Sequence, residues 1–142
     1  MLRRTVLLVL FYSLANAQEK PPTLYDRLGR YDGISNIADG YLKGIRSDPQ
    51  FARFSGRGAD SLRRAKQLLK DQLCALTGGP CTYIGRDMKT AHSGLGITAN
   101  EWAANMKYMA AALEKAKIGS KEKTEFLAII DSLKPAIVEA PK

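Results

Sequence analysis

The stretch Ile34-Ser35-Asn36-Ile37-Ala38-Asp39-Gly40-Tyr41-Leu42-Lys43-Gly44-Ile45 sets the fold class. Its apolar residues Ile34, Ile37, Ala38, Tyr41, Leu42 and Ile45 recur at steps of three and four, so they share one face of an α-helix. Asp48-Pro49 ends that helix, because proline lacks the N–H a helix interior needs and restricts the residue before it. Tyr41 lies inside the stripe, which turns its ring toward a core where the hydroxyl must find a partner.

The same period continues outward. Asp60 or Ser61 is positioned to cap a second helix whose Leu62, Ala65, Leu69, Leu73 and Leu76 share a face until Gly78-Gly79-Pro80. From Pro80 to Thr98 a glycine-punctuated stretch leaves room for only one or two helical turns; it carries Met88, Ala91, His92 and Leu95. Thr98-x-x-Glu101 is a capping box opening a helix with Trp102, Met106, Met109, Leu113 and Ala116, expected to close at Gly119. A last helix starts near Ser120 with Phe126, Leu127, Ile130, Leu133 and Ile137, and Pro135 bends or ends it early. No alternating run is long enough for a sheet, so the expected fold is all-α.

The chain has 142 residues, 45% apolar and 25% charged, which fits one folded domain and excludes disordered and collagen-like classes. Arg3-Arg4, the apolar run from Val6 to Leu14 and Ala15-Asn16-Ala17 read as a secretory signal peptide over residues 1–17. That run is too short to span a bilayer, which takes roughly 20 residues. The expected organisation is therefore a signal peptide, a linker over 18–23 holding Pro21-Pro22, and one domain over 24–142. The protein is expected to be exported, to the periplasm, with no stable membrane anchor after cleavage. The formal charge of +8 then reads as a solvated surface rather than a nucleic-acid site, since an exported protein meets little nucleic acid. Cys74 and Cys81 either pair across the Gly78-Gly79-Pro80 loop, as an oxidising compartment permits, or remain two buried thiols.

No G-x-S-x-G, P-loop, GxGxxG or H-E-x-x-H pattern is present, and there is a single histidine. Zinc lacks ligands, and neither cysteine belongs to a C-x-x-C or C-x-x-C-H motif. One histidine on a short helical segment, apolar stripes on long helices and a tyrosine among aliphatics suit a haem held by one axial imidazole. An ordinary polar histidine in a helical core is the competing reading.

Leu24-Tyr25-Asp26-Arg27-Leu28-Gly29, then Asp48-Pro49 leading into Phe54, then Gly78-Gly79-Pro80, and then Tyr83-x-Gly85-Arg86-x-Met88-x-x-Ala91-His92 stand in the order seen in the group I truncated haemoglobins. The chain resembles that family from about residue 24 to residue 138. The resemblance implies a shortened globin, a two-over-two helical sandwich around haem b. It makes His92 the proximal iron ligand, Tyr41 the distal hydrogen-bond donor and Phe54 a ring packed on the haem. Leu69, Ala65 and Met88 then wall the pocket, and Arg86 and Lys89 meet the propionates or stand as solvated charges. The implied function is reversible binding of O2 and other diatomic ligands such as NO, with conversion of NO to nitrate as a further activity that needs an electron donor.

Two departures carry consequences. Arg30 stands where the family has a second glycine, with Gly33 as partial compensation. Counting back from Gly78-Gly79 puts Leu69 and Ala65 at the pocket and leaves Gln67 and Gln72 off that face, so Tyr41 is expected to be the only polar distal group. Two other functions stay open: a haem-free exported helical module that binds a protein, and an electron-transfer cytochrome. The cytochrome needs a second axial ligand, and Met88 shares a helix face with His92 instead.

Overall fold

Helices account for all the regular structure in the computed structural model, which describes residues 20–54 and 59–139. The signal segment expected over 1–17 lies outside the described residues. The elements are α1 (Leu24–Arg27), α2 (Arg30–Ser47), α3 (Ala59–Leu76), α4 (Met88–His92), α5 (Ala99–Lys115), α6 (Ser120–Asp131) and α7 (Lys134–Ile137). A 3-10 turn, Pro49–Phe54, follows α2. The all-α expectation holds. Among the described residues no helix is long and apolar enough to cross a membrane.

Helix α2 is the centre of the packing, lying against both α3 and α5, while α6 packs on α5 and α7 on α4. Ile34, Ile37 and Ala38 of α2 are fully buried, and they meet Leu73 of α3, Leu113 of α5 and Phe126 of α6 in one core. Close approach of α2 to α5 depends on Gly44, where a Cβ would stand 2.8 Å from the Tyr108 ring. Tyr108 in turn donates to Asp48 Oδ2 at 2.8 Å, fastening the end of α2. The Gln50 N–H and this phenol hold the Asp48 carboxyl below the usual carboxylate range.

The first junction departs from the glycine pair that the resemblance implies, yet keeps its backbone. Gly29 and Arg30 both have positive φ, +87° and +58°. For arginine that conformation costs on the order of 1 kcal/mol. Gly33 compensates for a different reason: a Cβ there would run into the Leu28 carbonyl oxygen.

Two helix ends fall elsewhere than the spacing suggests. Helix α3 already includes Ala59, so it starts ahead of Asp60 and Ser61. Helix α5 closes at Ala116 rather than Gly119. Lys117 takes the left-handed position (φ +57°), and the N–H groups of Lys117 and Ile118 bond back to Glu114 and Leu113. That paired closure lets a lysine stand where glycine is commoner, and Gly119 instead precedes α6. Of the two outcomes expected at Pro135, the helix ends early, at Asp131, and Pro135 sits in the first turn of α7, where its missing N–H is no loss.

Cys74, fully buried in α3, forms a disulfide with Cys81, with Cα atoms 5.8 Å apart. The bridge ties the end of α3 to the loop that leads into α4. Asp87 caps α4 by accepting from the Thr90 N–H at 3.0 Å. Its bonds with Thr90 are the main reason its carboxyl is held below the usual range.

Candidate functional site

Helices α2, α3, α4 and α5 and the 3-10 turn enclose a cleft of about 850 Å³, within the size range of small-molecule and cofactor pockets. Its walls are mostly apolar: Leu42 and Ile45 of α2, Phe51 and Phe54, Leu62, Leu68 and Leu69 of α3, and Trp102 and Met109 of α5. Tyr41, Phe54, Ala65, Leu69, Arg86, Met88 and His92, brought forward from the sequence, all line it.

Lys89 does not. It is exposed on α4, about 100° around the helix from Met88, while Met88, Ala91 and His92 share the cleft-facing side. Among the described residues, the cations that do line the cleft are Arg46, Arg53, Arg64 and Arg86. Nothing in their spacing separates Arg46 and Arg64 from the chain's other basic residues.

His92 is set by its own helix. Its Nδ1 stands 2.8 Å from the Met88 carbonyl oxygen. A carbonyl only accepts, so Nδ1 carries a proton, and the neutral ring has its lone pair on Nε2. The following loop is pinned from the C-terminal end of the described chain: Glu139 accepts from the N–H groups of Gly94 and Gly96 at 2.7 and 2.5 Å. Arg53 closes another side, donating to the Leu95 carbonyl at 2.5 Å and to Glu101 at 2.7 Å, with its guanidinium over the Phe54 ring. The Thr98 N–H and then Arg53 hold the Glu101 carboxyl below its usual range.

Tyr41 is not the only polar group of its kind in the cleft. Its hydroxyl donates to Asn105 Oδ1 at 2.5 Å, and burial pushes the phenol up to about 12. It therefore stays a proton donor throughout the neutral range. Asn105 escaped the sequence reading, although it carried a signal: three residues after Trp102 and four before Met109, it is a polar residue on the apolar face of α5. Gln72 also lines the cleft, against expectation, and donates to Met88 Sδ at 3.0 Å. It lies three residues after Leu69 and four before Leu76, inside a face wider than the strict stripe. Gln67 stays outside, donating to the Tyr31 hydroxyl at 2.7 Å and to Asp71 at 2.9 Å.

A model of the bacterial-like globins matches residues 23–139. The chain belongs to the bacterial-like globin family. The family's cofactor is haem b and its ligands are diatomic molecules such as O2. Relatives of this globin matched by sequence include group 1 truncated hemoglobins. One, GlbN of Mycolicibacterium paratuberculosis, is 29% identical over 118 residues, 83% of this chain and 85% of that protein. Another, from Tetrahymena pyriformis, is 29% identical over 96 residues, 68% of this chain and 78% of its own. The fold is that of the solved Tetrahymena pyriformis protein in its Fe(III) form, with TM-score 0.77, 21% identity, and coverage of 84% of this chain and 100% of that one. A group II truncated hemoglobin from Bacillus anthracis superposes equally well, with TM-score 0.77, 19% identity, and coverage of 87% and 96%. Shape alone therefore does not distinguish the groups, whereas both of these sequence relatives are of group 1.

Proposed function

We propose that this globin binds O2 reversibly at a haem b ligated by His92, with Tyr41 as the hydrogen-bond donor to the ligand. The observation that carries the reading is the His92 imidazole, whose Nδ1–H is satisfied by Met88 so that an Nε2 lone pair remains in an apolar cleft. When bound, the haem supplies an iron that takes up O2, NO or carbon monoxide. The Met88 carbonyl fixes the His92 tautomer and ring orientation and makes Nε2 a better ligand. Phe54, Leu69 and Met88 keep water from the cleft, while Arg46, Arg64 and Arg86 are the cations available to two propionates.

Conversion of NO belongs to the same proposal: one NO, one O2 and one electron from a separate donor give one nitrate. Export after Ala17 is also part of it, supported by the signal-like N-terminus and by a disulfide of the kind oxidising compartments maintain. The test is the visible spectrum of the purified protein and of His92→Ala. An intense Soret band in the wild type, with haem lost from His92→Ala on gel filtration, is expected. A colourless wild type that takes up no added haem would point to the haem-free module, and full haem retention by His92→Ala would remove His92 as the ligand.

A further inference from the structure

Tyr41 has one hydroxyl proton, and it is already engaged. The hydroxyl donates from α2 to Asn105 Oδ1 on α5, a residue 64 positions away in the chain. The amide oxygen can only accept, so the phenol proton lies on the bond to Asn105. Both side chains line the cleft. Any ligand that is to receive the Tyr41 proton must therefore take it from Asn105.

Building on the reading of Tyr41 above, we propose that Asn105 is a specificity-determining residue of the O2 site. Its carbonyl oxygen competes with the ligand for the Tyr41 proton, so only a strongly accepting ligand draws that proton away. Hydrogen bonds to charged acceptors are roughly twice as strong as neutral ones. O2, with partial negative charge on its outer atom in such a site, overcomes the amide. Carbon monoxide, a weak acceptor, does not, and leaves the Tyr41–Asn105 bond in place. Asn105 thereby widens the difference between the two ligands while lowering the hold on O2.

The test uses the haem-loaded full chain as wild type, Tyr41→Phe, Asn105→Leu and the double variant. Two quantities are read: the O2 dissociation rate by stopped flow, and the C–O stretching band of the carbon monoxide complex by infrared spectroscopy. Asn105→Leu is expected to slow O2 loss about three- to tenfold, the worth of one neutral hydrogen bond. It should also move the C–O band to lower frequency, because the freed phenol now donates to carbon monoxide. Tyr41→Phe alone should leave that band in place, and in the Tyr41→Phe background Asn105→Leu should change neither quantity. A purely structural role for Asn105 would not disappear with the Tyr41 hydroxyl. If Asn105→Leu fails to hold haem, Asn105→Ala is read by the same criteria. Both quantities unmoved by the Asn105 variant, with Tyr41→Phe still speeding O2 loss, overturn this inference alone. O2 loss indifferent to Tyr41→Phe, or a colourless wild type, overturns the reading beneath it as well.

Discussion

Replacing the disulfide by the double substitution Cys74→Ala and Cys81→Ser should lower stability by about 3 kcal/mol. The bridge spans a sequence separation of seven. For a loop that short the chain-entropy model gives about 2.5 kcal/mol at 25 °C. Cys74 is fully buried beside Leu73 in the core, so the lost sulfur adds a small cavity cost, on the order of 0.5 kcal/mol. For a folded region of this length that total lowers Tm by about 10 °C. The loss should not be spread evenly. The bridge holds the loop running from α3 to Asp87, the cap of α4 and hence of the segment carrying His92. Amide exchange should accelerate most over residues 77–92, and haem loss should quicken with it. Calorimetry and hydrogen exchange on fully haem-loaded protein measure both, at matched loading because bound cofactor itself raises Tm. A Tm lowered by less than about 3 °C, or faster exchange spread over α2 and α5 as much as over α4, would refute the reasoning.

Tyr41→Phe should speed O2 dissociation about tenfold: a hydrogen bond to a charged acceptor contributes about 1.5–3 kcal/mol, offset by about 1 kcal/mol for the Asn105 bond given up. With the phenol pushed up to about 12, the wild-type rate should be flat from about pH 6 to pH 10 as far as Tyr41 is concerned; stopped-flow displacement across that range checks both. Asp87 titrates below its ordinary 3.8 because of Thr90. A depressed carboxylate lends stability that is full above its unfolded value and drains as pH falls through the folded one. Acid unfolding should therefore shift less with pH below 4 in Asp87→Asn, which keeps the cap oxygen; a denaturation midpoint with wild-type pH dependence there would argue against the cap.

Much of this protein is legible in its local sequence. A helix registers its own buried face at steps of three and four, so Ile34 to Ile45 announced α2 with no other part of the chain in view. Thr98-x-x-Glu101 announced the start of α5, and that capping box is present. The same logic groups Met88, Ala91 and His92, because one short helix puts them on one side whatever lies opposite. What periodicity cannot report is which face of one helix meets which face of another. That depends on how close the axes come, here on Gly44 admitting the Tyr108 ring. Hence Asn105 stayed hidden although its partner was named, and Arg53 was not connected with Glu101, 48 residues on. Glu139 reached Gly94 and Gly96 only through the packing of α7 on α4. Gln72 was misplaced for a related reason: a stripe of aliphatics marks the centre of a buried face, and only the neighbouring helices decide how far its edges extend. The sequence by itself determined the helical class, the helix bearing Tyr41 and the short helix bearing the single histidine. The tertiary structure alone decided which polar groups from distant helices share the cleft, because those contacts arise from helix crossings that no single helix encodes.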